Sequence, residues 1–340
     1  LKEFLQIMFR RKKMRAIQFS SYGGPEVLQS VDLSRPVPES HEVVIEIKAI
    51  GVNYADTARR EGQYVVPTPL PFVPGAEVAG IVTEVGDGVT KVKEGTRVVT
   101  LLGSKKATGY AEYTIADEGG LIPIPDGVDF NRAVALPLQG LSAYHILKTM
   151  GQLEKGEIVL VHAAAGGVGT LAVQLAKLLG AGKVIATASS QSKLDIARHL
   201  GADVLINYSD ENWVEQVLEA TGGKGVDVAL EMVGGKVFNQ TQRCLATFGR
   251  LVVYGVASGE QSHLTPSLLM ARNQSVIGFF LPQIMRKPKL LQDSLIELLG
   301  YVERGQLELI IGGVYPLTEA ANVHELLQSR KTYGKLILVP

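Results

Sequence analysis

The chain has 340 residues, with 34 basic and 34 acidic side chains; 46% of it is hydrophobic and 20% charged. That length suggests about two domains, the composition is that of a soluble globular chain, and the balanced charge argues against nucleic acid or an anionic membrane as partner. No apolar run approaches the roughly 18 residues of a membrane span, and the single cysteine, Cys244, rules out both an intrachain disulfide and a cysteine-built metal cage. A reducing, cytoplasmic setting is the expectation.

Residues 1–13 are basic and mildly amphipathic, with Glu3 their one acid, and read as an extension to a fold that starts at Met14. From 14 to 137 the chain reads as short strands: Glu42–Ile50, Val78–Val85, Thr96–Leu102 and Tyr110–Ile115. Glycine and proline punctuate them at Gly23-Gly24-Pro25, Gly86-Asp87-Gly88 and Pro123 to Pro125. Regular short strands with such turn signals predict a partly open antiparallel barrel.

At about Leu138 the texture changes to alternating strand and helix. Strands are expected at Ile158–His162, Lys183–Ala188, Val204–Tyr208, Val226–Met232, Arg250–Gly255 and Val276–Phe280. Helices are expected at Val168–Leu179, Ser192–Leu200, Asn212–Ala220 and Lys236–Leu245. This is the α/β pattern of a doubly wound parallel sheet over 138–281. A long helix, Leu290–Arg304, then the segment Val314-Tyr-Pro-Leu317, a helix at Thr318–Ser329 and a strand at Lys335–Val339 follow, so 282–340 is expected to complete the first domain. The second domain is then an insertion, and the cleft between the two is where chemistry is expected.

The stretch from Val159 to Gly169 enters as an apolar strand and leaves as a helix through Ala164-Ala165-Gly166-Gly167-Val168-Gly169. Gly166, Gly167 and Gly169 let the backbone turn sharply and approach a pyrophosphate, while the helix points its free N–H groups at the phosphates. Ala164 replaces the first glycine of the usual G-x-G-x-x-G fingerprint. A glycine-rich turn that only packs a helix on a sheet is the alternative reading.

An NAD site carries Asp or Glu at the end of the next strand, to bind the ribose 2′-hydroxyl. Here that strand ends Ala188-Ser189-Ser190 without an acid, and Lys193 follows. Small hydroxyls and an ammonium accept a 2′-phosphate, so NADPH is the expected cofactor; the alternative is that Ser189 and Ser190 only cap a helix. Tyr208 is placed to line the adenosine side.

The span from Met14 to Pro340 resembles the zinc-independent medium-chain dehydrogenases and reductases, above all the NADPH:quinone oxidoreductases of the zeta-crystallin-like group. The matching segments include Gly51-Val-Asn-Tyr-Ala-Asp56, Pro74-Gly-Ala-Glu-Val-Ala-Gly80, Gly109-Tyr-Ala-Glu-Tyr113, Gly140-Leu-Ser-Ala-Tyr144, Ile206-Asn-Tyr208, Arg272-Asn-Gln-Ser-Val-Ile-Gly-Phe279 and Gly334-Lys-Leu-Ile-Leu338. The resemblance implies a GroES-like barrel plus a Rossmann domain, in a homodimer. It implies cofactor contacts from Asn53, Ser142, Gly166, Gly167, Val168, Gly169, Ser189, Lys193, Tyr208, Gly255, Phe279, Phe280 and Leu281. Zinc alcohol dehydrogenases carry Gly-His-Glu where this chain has Gly75-Ala76-Glu77, and their catalytic cysteines and four-cysteine loop are missing here, so no metal is expected.

Without a metal the acceptor must take hydride unaided. A quinone does so because the added charge delocalises into an aromatic hydroquinonate, whereas an alkoxide needs strong stabilisation. Reduction of a quinone by NADPH, in one- or two-electron steps, is the expected function, with Tyr64 and Asn53 as the candidate catalytic residues. Tyr64 sits where related enoyl-thioester reductases carry a catalytic tyrosine, which supports a second reading: reduction of activated C=C bonds in enones or enoyl thioesters. For Tyr64 core or rim packing is the alternative. A non-enzymatic cofactor-binding or RNA-binding protein is the third reading; the neutral charge disfavours its nucleic-acid form.

Overall fold

The computed structural model of the chain describes residues 12–103 and 108–340. The extension that the sequence sets apart lies outside the described residues as far as residue 11, and Lys13 already belongs to the first strand. The chain forms two compact units: the first runs to Leu138 and includes Pro288–Glu303 and Ile311–Pro340, and the second is Gln139–Lys287 with Arg304–Ile310.

In the first unit, β1 (Lys13–Gln18) and β2 (Gln29–Ser34) form an antiparallel pair. The strands β3 (Glu42–Val52), β4 (Glu77–Val85), β5 (Arg97–Leu101), β6 (Tyr113–Asp117) and β7 (Ile122–Pro123) join a seven-stranded sheet. Its order is β14 (Ile311–Pro316), β15 (Lys335–Val339), β3, β4, β5, β7, with β6 also pairing on β3. The first half of β3 pairs with β6 and its last residues with β15, while β4 pairs along the other edge. Register shifts against β4 at Val44/Ile45 and Ile47/Ala49 mark bulges, which bend a strand and increase its twist. Ile45, Ile47, Val78, Val82, Val98 and Leu338 fill the core. The strand expected at Tyr110 begins at Tyr113 instead, because Tyr110 turns fully inward and donates its backbone N–H to Pro74.

The second unit is a six-stranded parallel sheet in the order β10 (Val204–Asn207), β9 (Lys183–Ala188), β8 (Ile158–Val161), β11 (Val226–Glu231), β12 (Leu245–Val253), β13 (Ser275–Gly278). Counted within this unit that is 3-2-1-4-5-6, so the strand order reverses between β8 and β11 and opens a switch point at their carboxyl ends. Strand β8 reads Ile-Val-Leu-Val without a polar break, as a parallel strand covered on both faces must. Helices Gly167–Leu178, Gln191–His199, Trp213–Ala220 and Gly235–Cys244 supply the cover.

Strand β12 starts at Leu245, earlier than the expected Arg250, and accommodates the extra residues through an irregular register with φ 63° at Phe248. The first unit resumes at Pro288, against 282 from the sequence, and 304–310 stay with the second unit. Gln174 explains the latter: its amide donates to the Glu308 carbonyl at 2.9 Å and accepts the Glu308 N–H at 2.8 Å.

Candidate active site and cofactor loop

In the second unit, β8 hands the chain to a turn in which Ala163 takes φ 48° and the Gly166 N–H returns to the Ala163 carbonyl at 2.8 Å. Gly166 precedes helix Gly167–Leu178 and offers no side-chain cap. Gly167, Val168 and Gly169 open the helix, so their N–H groups have no carbonyl one turn earlier within it, and the positive dipole end adds to the same point. A Cβ on Gly169 would lie 2.2 Å from the Ala163 oxygen and 2.8 Å from the Ala164 Cα. The glycine therefore permits a backbone-on-backbone contact that brings the turn under the helix. This arrangement fits a pyrophosphate.

The acid-free end of β9 is where the sequence places it. Asn207 pairs with Ala188 and the Tyr208 N–H donates to the Ala188 carbonyl, so Ser189 and Tyr208 leave neighbouring strand ends side by side. Ser190 precedes helix Gln191–His199 but its hydroxyl does not cap it; the hydroxyl lies 3.2 Å from the Ser192 hydroxyl. Lys193 is half-buried, and burial lowers its pKa. Ser142 is buried in helix Leu141–His145, Gly255 follows β12, and Phe279 to Leu281 follow β13. Gly255 packs on Met232, which a Cβ would approach to 3.2 Å.

In the first unit, Asn53 follows β3 and caps helix Tyr54–Arg60. Its amide nitrogen donates to Glu77 Oε1 at 2.7 Å and its amide oxygen accepts from Lys335 Nζ at 2.9 Å. Lys335 Nζ also lies 2.5 Å from Glu77 Oε1, and the other Glu77 oxygen accepts the Leu138 N–H at 2.7 Å. Gly51 makes room: a Cβ there would fall 2.3 Å from Glu77 Oε1. One turn on, Asp56 accepts the Asn53 N–H at 2.9 Å, and complete burial raises its pKa to about 6. The Tyr110 hydroxyl reaches His324 Nε2 at 3.0 Å, and His324 Nδ1 faces Arg60 at 3.3 Å.

Tyr64 follows this helix and is half-buried. The Arg59 guanidinium carbon sits 4.1 Å from the centre of its ring and 5.5 Å from that of Phe72. Burial raises the phenol pKa, while Arg59 acts in the opposite sense and Asp56 adds to the rise.

A zinc ion needs three or four donors held together, and this chain does not fit one. Position 76 is alanine, the lone cysteine is buried with its thiol donating to the Gln240 carbonyl, and Glu77 is taken by Lys335 and Asn53. Among the described residues no three His, Cys, Asp or Glu side chains converge.

Residues 39–126 match the alcohol dehydrogenase GroES-like domain and residues 167–296 the zinc-binding dehydrogenase domain. Over 327 residues, 96% of this chain and 99% of the relative, the sequence is 39% identical to the quinone oxidoreductase of Pseudomonas aeruginosa. The chain belongs to the quinone oxidoreductase family of medium-chain dehydrogenases. The structure of Escherichia coli quinone oxidoreductase complexed with NADPH is 36% identical, covers 96% of this chain and all of its own, and superposes with a TM-score of 0.90. An NAD-dependent alcohol dehydrogenase, 35% identical over 96% of this chain and 100% of its own, superposes with a TM-score of 0.88, so the fold by itself does not choose a substrate.

Within this member of the quinone oxidoreductase family, Ser189 and Tyr208 follow the neighbouring strands β9 and β10, Ser190 and Lys193 stand at the start of the next helix, and Gly166 to Gly169 share one turn. Sequence reading assigned no role to Glu77, Lys335, Asp56 or Arg59. The signal for the first two was present: each is a charge at the head of an apolar run, Glu77-Val-Ala-Gly-Ile-Val and Lys335-Leu-Ile-Leu-Val.

Proposed function

We propose that this chain reduces quinones with NADPH. The observation that carries the reading is the end of β9, where two serine hydroxyls and Lys193 stand with no carboxylate from Lys183 to Leu194. Ser189, Ser190 and Lys193 would hold the 2′-phosphate, Gly166 to Gly169 the pyrophosphate, and Tyr208 the adenosine. Ser142, Gly255 and Phe279 to Leu281 are assigned to the rest of the cofactor. NADPH, when bound, supplies a hydride. Tyr64 is assigned to the acceptor, as hydrogen-bond and proton donor to its carbonyl oxygen. Asn53 has its amide held from both sides by Glu77 and Lys335, so its part is that of a fixed wall for acceptor or nicotinamide.

The phenol of Tyr64 also supports a second reading, reduction of activated C=C bonds, in which a proton must follow the hydride. Steady-state oxidation of NADPH and of NADH, with 9,10-phenanthrenequinone and an enone offered side by side, tests both. Quinone turnover with NADPH preferred is the expected result. Enone turnover without quinone turnover would move the chain to the second reading.

We further infer a homodimer. Among the described residues strand β13 pairs only with β12 and is the edge of its sheet, and Phe248, Leu268 and Met270 nearby are 65%, 61% and 77% exposed. Light scattering at twice the chain mass is expected. No helix among the described residues is long and apolar enough to cross a membrane; a cytoplasmic location is our reading of a chain with one cysteine.

A further inference from the structure

Arg59 is 94% buried, at 6% exposure, yet no carboxylate among the described residues lies within ion-pair distance of it. Its neighbour in sequence, Arg60, is also buried but has Glu61, Gln328 and the Gly23 carbonyl as partners. Arg59 instead donates to the buried Thr68 hydroxyl at 3.1 Å and spreads its planar group over the rings of Tyr64 and Phe72. A buried guanidinium costs desolvation that ion pairing usually offsets. Here the offset comes from aromatic faces, whose negative quadrupoles attract a cation within about 6 Å of the ring centre.

The polarisation runs both ways. A cation against the ring draws electron density from it and makes the phenolic O–H a stronger donor. We propose that Arg59 is a positioning residue for the reduction: anchored by Thr68, it fixes the Tyr64 ring and strengthens its hydroxyl as donor to the acceptor's carbonyl oxygen. The inference rests on the assignment of Tyr64 to the acceptor. In the balanced reaction the quinone gains a hydride from NADPH and one proton; the proton leaves the Tyr64 hydroxyl for the reduced oxygen, and the phenol recovers its proton from water. The specificity that follows is for electron-rich quinones, whose hydroquinonates are basic and depend on a strong donor. Electron-poor quinones yield stabilised hydroquinonates that depend on it little.

The test compares kcat on 2,3-dimethoxy-5-methyl-1,4-benzoquinone, electron-rich, and 2,6-dichloro-1,4-benzoquinone, electron-poor, with NADPH at saturation. Arg59→Met is expected to lose about tenfold on the first and about twofold or less on the second, Arg59→Lys to recover part of the loss, and KM for NADPH to hold. If the methionine variant fails to fold, Arg59→Gln, which keeps a donor for Thr68, is read instead. Tyr64→Leu is expected to show the same ordering, and Arg59→Met added to it to cost little more. Equal losses on both quinones overturn the proposal as mere structural damage, and additive losses overturn it as an effect that bypasses Tyr64. Unchanged turnover of both quinones in Tyr64→Leu overturns the assignment of Tyr64 itself.

Discussion

Lys335 holds its ammonium 2.5 Å from Glu77 although 258 positions separate them in the chain, and both side chains are sealed from solvent. Asn53 bridges the pair, and the Val52 carbonyl takes a further ammonium hydrogen at 3.1 Å. A buried charge pair gains little over a well-packed apolar pair, but removing one partner strands the other. Lys335→Met is therefore expected to destabilise the first unit by about 3–5 kcal/mol, and Lys335→Met with Glu77→Leu by less than the sum of the single variants. Urea unfolding of the single and double variants measures both.

Gly169→Ala sets a methyl group 2.2 Å from a backbone oxygen and 2.8 Å from a Cα, neither of which is a flexible side-chain end. The turn must move away from the helix start. We expect a loss of about 2–3 kcal/mol in stability and weakened NADPH binding. Thermal melts and the fluorescence titration of NADPH read the two effects separately.

Cofactor choice is expected to rest on the end of β9. Lys193→Ala should raise KM for NADPH about tenfold, roughly 1.4 kcal/mol, and leave that for NADH near its starting value. Ser189→Asp places a carboxylate where the 2′-phosphate would sit, and is expected to lower the preference for NADPH over NADH about a hundredfold. Equal changes in both cofactors would remove this strand end from the site.

His162 gives stability a pH dependence. It is fully buried, with Thr187 and Thr241 hydroxyls each 2.8 Å from a ring nitrogen and Trp213 edge-on at 5.4 Å, and burial lowers its pKa to about 4. In the unfolded chain the imidazole titrates near 6.5. The folded state binds its proton less readily, so the contribution is complete above pH 6.5 and is lost as pH falls towards and through 4. That amounts to about 3 kcal/mol. His145, lowered to about 4, and His324, lowered to about 3, act with the same sign. Asp56 opposes them: its carboxyl, raised to about 6, favours the fold more below that value than above it. His162→Gln should therefore flatten, without abolishing, the fall in unfolding free energy between pH 6.5 and 4.

Tyr64→Phe separates the two chemistries. It keeps the ring against Arg59 and removes the hydroxyl. Enone turnover, which needs a proton after hydride transfer, is expected to drop by about 10²-fold, while turnover of electron-poor quinones is largely spared. Loss of both by the same factor would give the phenol a role in binding alone.

The second unit was nearly all legible in the chain, because parallel strands buried on both faces write continuous apolar runs and the helices between them write a different period. Its glycine turn and acid-free second strand are local statements, complete within a few residues of Gly169 and Ser189, as is the alanine at position 76 of the first unit. The first unit was legible as strands but less so in extent. Tyr110 looks like a strand residue and is an inward anchor, since its hydroxyl finds Asp56 and His324 only after three distant segments meet.

By itself the sequence determined the two folds and the dinucleotide turn, since each depends on near neighbours along the chain. Only the tertiary structure decided which charges face one another. It set Lys335 against Glu77, left Arg59 with two aromatic rings and Thr68, and brought His324 and Gln328 to Arg60. Burial and pairing of a charge depend on what arrives from elsewhere in the chain, and the energy of a buried charge depends on that partner more than on its own side chain.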